Sequence, residues 1–395
     1  MRLLYVTQRY GREVAGGAEL HCRQFATRLA AGGHRVEVVT TCARDYVTWA
    51  NEYAPGTTDL DGLRVHRLPT ASPRDLRLFG PLNGRVTLGE KPVALHVQQE
   101  WMRAQGPDVP GLAPWLDDHA GRFDAVIFFT YLYATAFTGL PRVAGRVPVL
   151  LHPTAHDEPT LGLPLFDAVF RLPDAFAFST EEERDLVERR FRVSRPASAV
   201  VGIGFDLDVA GDGASFRRRY GLGDGPYVVV VGRVDPAKGS TELFSFFAEY
   251  KERHPGPLRL VVVGEPVDPP PPHPDVVVTG FVADEVKQAA VDGALALVQP
   301  SYFESFSMVL AEAWAQGRAA LVQGRCAVLE GHARRSGGAV PYRGYAEFEA
   351  ALDLVTADPA LAAALGRAGR RYVEAHFGWD TVLDRYQDVL ARLTA

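Results

Sequence analysis

The stretch Ser301-Tyr-Phe-Glu-Ser-Phe-Ser-Met-Val-Leu-Ala-Glu-Ala-Trp-Ala-Gln-Gly317 sets two carboxylates, Glu304 and Glu312, on either side of the start of a helix. Residues 308–315 are apolar enough for a buried helix. Ser305 or Ser307 is placed to cap it, and Gly317 stands where a left-handed residue ends a helix. Glu304 then falls in the preceding loop and Glu312 inside the helix. First-turn N–H groups lack helical partners, and the dipole puts about half a positive charge at that end, so the segment predicts an anion site. A carboxylate accepts hydrogen bonds and repels phosphate, so two of them flanking an anion site hold hydroxyl groups on either side of it.

Working outward, residues 227–231 are a continuous apolar strand followed by Gly232-Arg-Val-Asp-Pro-Ala-Lys-Gly239, a strand–loop–helix start suited to phosphate. Further strands are predicted at 258–264, 276–279, 294–299 and 319–322, and a stiff, polyproline-like loop at 266–274. The same pattern opens the chain: a strand at 2–7, a Gly-rich loop at 11–17, a helix with Leu20, Phe25, Ala26 and Leu29 on one face, and a strand at 36–41. Residues 57–68 predict a hairpin turning at Asp61-Gly62. Strands at 123–130, 148–151 and 174–179, a helix at 181–192 and a closing segment at 199–203 complete the first half. Residues 71–118, with Pro81, Pro107, Pro110, Pro114, Trp101 and Trp115, show weak periodicity and receive no assignment.

The fold class expected is α/β, two Rossmann-like domains facing a cleft. The first spans 1–205, the second spans 206–378, and a C-terminal helix is expected at 379–395.

At 395 residues, 47% hydrophobic and 23% charged, the chain has the composition of two ordinary soluble domains. A net charge of −6 and no basic run argue against nucleic acid as a partner. Cys22, Cys42 and Cys326 are odd in number and lack metal-ligand spacing, so neither disulfides nor structural zinc are expected and a cytoplasmic location fits. The N-terminal apolar run is too short for a signal peptide, and no stretch approaches the ~20 apolar residues of a membrane helix, leaving only peripheral membrane contact open.

Lysines are rare here, only Lys91, Lys238, Lys251 and Lys287, which makes Lys238 beside Arg233 informative. Arg233 forks two phosphate oxygens and Lys238 supplies a point charge, together neutralising a diphosphate. Gly16-Gly17, followed by Glu19, lets backbone approach a substrate from the other domain. His152 and His156, the latter followed by Asp157, follow a buried strand, and either is a candidate active-site group. Ser179-Thr180-Glu181 opens a helix, and plain capping explains it as well as a substrate contact. Phe281, after Gly280 and before Val282, reads as a core residue. Asp59-Leu-Asp61 and Asp206-Leu-Asp208 spell a metal-binding pattern, but one sits at a turn and the other in a linker, and neither is assigned a metal. The Gly-x-Gly-x-x-Gly dinucleotide fingerprint is absent from both domain starts.

Taken in order, these motifs resemble the retaining glycosyltransferases of family 4, with the GT-B fold and a Glu-x7-Glu element that Glu304 and Glu312 match. The resemblance covers nearly the whole chain and implies that residues 1–205 bind the acceptor, that 206–378 bind the donor, and that the helix at 379–395 crosses back onto the first domain. It implies a nucleotide-diphosphate sugar as co-substrate, no further cofactor, no metal, and a small-molecule, glycan or lipid-linked acceptor. Carried onto this sequence, it makes His156, Glu304, Arg233 and Lys238 the catalytic group. It places Gly16, Gly17, Gly232, Phe281, Val282, Ser305, Phe306, Ser307, Met308, Val309 and Glu312 around the donor. Gly17, Glu19, His156 and Asp157 fall near the acceptor. The family often has glycine where Ser307 stands, so a side chain there is expected to narrow the sugar pocket. A nucleotide-sugar epimerase, a sugar phosphorylase and a non-catalytic nucleotide-sugar binder are the alternatives left open.

Overall fold

The computed structural model describes the chain apart from Ala15, Glu90, Lys91, Val209, Ala210, Asp235 and residues 266–270, so most of the expected polyproline-like loop lies outside the described residues. The chain divides into two units, residues 1–202 with 383–395, and residues 203–382.

The first unit contains β1 (Arg2–Val6), α1 (Gly17–Ala31), β2 (Arg35–Thr41), β3 (Gly56–Leu60), β4 (Leu63–Leu68), α2 (Leu76–Thr87), α3 (Leu95–Gln105) and α4 (Leu112–His119). It continues with β5 (Ala125–Phe129), α5 (Ala134–Val143), β6 (Val149–His152), α6 (Asp167–Arg171), β7 (Ala175–Phe178), α7 (Glu181–Phe191) and β8 (Ala199–Val200). Its sheet runs β3-β4-β2-β1-β5-β6-β7-β8, parallel except for the β3–β4 hairpin. That hairpin turns at Asp61 and Gly62, both at positive φ, the geometry of a type I′ turn. Asp61 pairs there with Arg12 and Arg23, which gives the first Asp-x-Asp a structural role. The fully buried runs Leu3–Val6 and Ala125–Phe129 fill the middle of the sheet, as strands covered on both faces require.

The second unit contains α8 (Gly213–Arg219), β9 (Tyr227–Val231), α9 (Ser240–Arg253), β10 (Arg259–Val263), β11 (Val276–Gly280), α10 (Asp284–Asp292), β12 (Ala296–Gln299) and α11 (Met308–Ala315). Then come β13 (Ala319–Gln323), α12 (Ala327–Ser336), β14 (Ala339–Tyr342), α13 (Tyr345–Ala357) and α14 (Pro359–His376). Its parallel sheet, β11-β10-β9-β12-β13-β14, has the doubly wound order 3-2-1-4-5-6, with the direction of winding reversing between β9 and β12. α15 (Trp379–Thr394) begins in this unit and passes into the first at Leu383. There Tyr386 lies 3.1 Å from the hydroxyl of Tyr5 and 3.1 Å from His152 Nε2.

Candidate active site

Ligands of doubly wound sheets bind beyond the strand C-termini where the winding reverses. In the second unit the strands at that point are β9 and β12. The loop after β9 carries Gly232, Arg233 and Lys238, and the loop after β12 carries Glu304. Gly239 joins them: its φ is +74°, and a Cβ there would sit 2.2 Å from the Pro300 carbonyl oxygen. Only glycine permits that approach. Lys238 Nζ consequently reaches Glu304 Oε1 at 2.9 Å, while Arg233 is exposed in the same loop. Two helices start here, α9 after Gly239 and α11 after Ser307, and both preceding residues are left-handed. Two helix N-termini, a lysine and an arginine make a strongly anion-seeking surface, and Glu304 and Glu312 provide acceptors for hydroxyl groups.

Three expectations for this segment are corrected. Ser307 holds the N-cap position but makes no capping bond. At φ +75° its hydroxyl instead accepts from Gln299 Nε2 at 2.8 Å. Phe306 is buried, stacked against Phe205 and edge-on to Phe377, so its ring faces the core and only its backbone is offered to a ligand. Phe281, read as a core residue, is 75% exposed beside half-buried Val282. Its aromatic face is open to stacking. Ser305, Met308 and Val309 are half-buried around the helix start, and the first backbone bond of α11 runs from Leu310 N–H to the Ser307 carbonyl at 3.2 Å.

The left-handed Ser307 also explains why glycine suits this position, because a Cβ there costs about 1–2 kcal/mol. Ser307→Ala and Ser307→Gly both strip the acceptor from Gln299, but only glycine relieves the backbone. Urea denaturation is expected to find Ser307→Gly more stable than Ser307→Ala by about 1 kcal/mol.

In the first unit, Gly16 and Gly17 are exposed at the head of α1, and a Cβ on Gly16 would lie 2.2 Å from Glu19 Oε2. Glu19, expected among the acceptor contacts, is buried. Its Oε1 accepts from Arg9 Nη2 at 2.6 Å, Arg9 Nε at 3.0 Å and Gln8 Nε2 at 2.9 Å. Its carboxylate is committed to shaping the glycine loop. His152 is enclosed by Phe129, Phe25, His21 and Tyr386, and burial holds its pKa well below that of free imidazole. It is a core residue. His156 is half-buried with Nδ1 3.6 Å from Glu158 Oε1, and Asp157 beside it is exposed. Of the two histidines, His156 is the one accessible to solvent.

The His156 loop is anchored by Glu183, which sequence reasoning passed over. Glu183 stands third in α7 after Thr180, whose hydroxyl accepts its N–H at 3.1 Å. The Glu183 carboxylate in turn accepts the N–H of Ala155 and that of Ser179, each at 2.6 Å. Thr180 thus caps α7, while the glutamate ties the residue before the cap to a neighbouring loop. The Thr-x-x-Glu spacing ahead of an apolar-periodic helix is the signal that finds it. Burial pushes the Glu183 carboxyl up to about 7, against the two backbone bonds that lower it.

Lys287 was also missed. It projects from α10 to Glu312 Oε1 at 3.1 Å. Among the described residues no group of three or more His, Cys, Asp or Glu side chains is arranged to hold a metal ion. Nor is any described helix long and apolar enough to cross a membrane.

Two family models match the sequence, a glycosyl transferase 4-like domain over residues 16–204 and glycosyl transferases group 1 over residues 225–358. A D-inositol 3-phosphate glycosyltransferase from Acidothermus cellulolyticus is 30% identical, covering 95% of this chain and 86% of its own. The chain belongs to glycosyltransferase family 4. Another relative of this family 4 glycosyltransferase is a glycogen synthase of Mycobacterium tuberculosis, 25% identical over 97% of this chain and 92% of its own. Among solved structures, a sucrose-phosphate synthase from Thermosynechococcus elongatus superposes with a TM-score of 0.72 at 20% identity, covering 99% of this chain and 98% of the other. HepE of Anabaena, in complex with UDP-glucose, does so with a TM-score of 0.71 at 15% identity, covering 100% and 99%. At these identities the structures establish the fold, two Rossmann-like α/β units of the GT-B type.

Proposed function

We propose that this enzyme transfers a hexose from a nucleoside-diphosphate sugar to an acceptor hydroxyl, with retention of anomeric configuration and without a metal ion. The observation that carries the reading is the Lys238–Glu304 pair, 2.9 Å apart beside the starts of α9 and α11. A diphosphate bound there meets Lys238, Arg233 and the amides of Met308 and Val309. Glu304 accepts from hydroxyls of the transferred sugar, and Glu312 from the ribose. As the sugar–phosphate bond breaks, negative charge grows on the departing diphosphate, and the two cations and two helix dipoles are already aimed at it. They supply the positive charge a metal would otherwise bring.

His156, the accessible histidine, acts on the transferred sugar by position and electrostatics, and Asp157 and the Gly16-Gly17 backbone meet the acceptor. The names of the relatives, a glycosyltransferase for D-inositol 3-phosphate and a glycogen synthase, support an acceptor that is a small hydroxylated molecule or a glycan.

The test is a thermal-shift screen with UDP, GDP, ADP, dTDP and CMP on the wild type, Lys238→Ala and Glu312→Ala. One nucleotide is expected to stabilise the wild type and neither variant. No stabilisation of a folded wild type by any of them would overturn the donor site.

A further inference from the structure

Lys287 has no part in the donor site described above, yet it touches that site's second carboxylate. Its side chain is 19% exposed, with Nζ 3.1 Å from Glu312 Oε1 and 3.3 Å from Asp284 Oδ1. Asp284 is 84% exposed and screened by water, whereas Glu312 is 15% exposed, so Glu312 is the stronger partner. The contact is the first of three polar rungs between α10 and the segment of α11. Gln288 pairs with Gln316 and Asp292 with Arg318 further along. Those two rungs already dock the helices, so the lysine is not required for docking. What it does is specific to Glu312. Burial pushes the Glu312 carboxyl up, and the neighbouring ammonium opposes this. Lys287 also occupies Oε1, while among the described residues nothing donates to Oε2.

We infer that Lys287 is a positioning residue that holds Glu312 by Oε1, leaves Oε2 for the ligand, and so makes the site select a ribose over a deoxy form that lacks the hydroxyl Oε2 accepts. The inference rests on the donor-site reading of Glu312. A site built around a charged acceptor rejects the analogue that lacks its hydroxyl, because the carboxylate is then left desolvated without a donor. If Lys287 were replaced by an uncharged residue, Glu312 would lose its tether and swing off its rung. The preference would shrink while the diphosphate contacts remained.

Isothermal titration with the nucleoside diphosphate that binds the wild type, and with its 2′-deoxy and 3′-deoxy forms, tests this on the wild type, Lys287→Met, Lys287→Gln and Lys287→Arg. The wild type is expected to prefer the ribonucleotide over at least one deoxy form by about 10- to 100-fold. Lys287→Met and Lys287→Gln should bring the ratio within about 3-fold, and Lys287→Arg should restore most of it. The ratio is internal to each variant, so a general loosening of the fold cancels, and the glutamine variant keeps a polar rung where the methionine variant fails to fold. An unchanged ratio in folded Lys287→Met or Lys287→Gln, with affinity lowered uniformly, would overturn the inference and leave the donor site standing. So would a wild type that binds ribo and deoxy forms alike. A wild type that binds no nucleoside diphosphate overturns both.

Discussion

Lys238→Ala is expected to lower kcat/KM for sugar transfer by about 10²- to 10³-fold while leaving the melting temperature nearly unchanged. Lys238 is 42% exposed on a 3₁₀ turn, so its packing contribution is small. Its electrostatic role is large because two effects run in the same direction. Loss of the ammonium removes a charge that stabilises the leaving diphosphate, and it also leaves Glu304, whose side chain is 13% exposed, without that counter-charge beside the anion. Lys238→Arg should recover part of the rate, since it restores charge without the point geometry. The split between parameters matters as much as the size. A cation that acts mainly as charge develops lowers kcat and kcat/KM together, whereas one that merely grips the ground state raises KM alone. Steady-state kinetics with the donor found in the nucleotide screen reads this directly, and a loss under about 3-fold would remove Lys238 from the catalytic group.

The parts of this molecule that were legible in sequence are those where one segment decides its own structure. Strands such as Tyr227–Val231 and Ala125–Phe129 are uninterrupted apolar runs buried on both faces, and no helix of that length competes. The hairpin at Asp61-Gly62 needs only two residues that tolerate positive φ. Helices in the stretch left unassigned were hidden by their own composition. α2 carries Gly80, Pro81 and Gly84 inside it, and its Leu76 and Leu78 are exposed, so the helical period is broken in the sequence although the backbone keeps it. β14 was missed because it is short, contains Pro341 and, among the described residues, stands at the sheet edge beside β13, where a missing N–H is tolerated.

At the site, Glu304 and Lys238 were legible because loop chemistry after a strand is local. Lys287–Glu312, Arg9–Glu19 and Glu183–Ala155 were not. Each joins side chains or backbone that only the packed fold brings together, and the left-handed Ser307 is a property of the loop, not of serine. Strain of the same kind recurs at Thr130 and Thr154, β-branched residues at positive φ just beyond the ends of β5 and β6. Both stand at the strand ends from which the His156 loop and its neighbour emerge, where the packed fold rather than propensity sets the backbone.

Glu183→Gln is expected to become more stable than the wild type as pH rises, and at the same time slower. Glutamine stands in for the protonated carboxyl. With the folded pKa raised to about 7, the wild type holds its full stability only below the unfolded carboxyl range and loses it as pH climbs through 7, since ionising the buried group costs free energy that the unfolded chain does not bear. The wild type should therefore fall relative to Glu183→Gln by about 2–3 kcal/mol between pH 5 and pH 8 in urea denaturation. A difference that stays constant across that range would mean that the bonds from Ala155 and Ser179 outweigh burial and that the carboxylate titrates normally. The reason to retain a destabilising charge lies in what it holds. Only the ionised form accepts both N–H groups, whereas the amide nitrogen of glutamine turns a donor toward one of them. The loop from His152 to His156 is then pinned at one point fewer, and a small displacement of His156 from the transferred sugar should cost about 10-fold or more in kcat at pH 8. Higher stability together with lower rate in a single variant is what separates a positioning carboxylate from a structural one, because a group retained for stability alone would lower both when replaced.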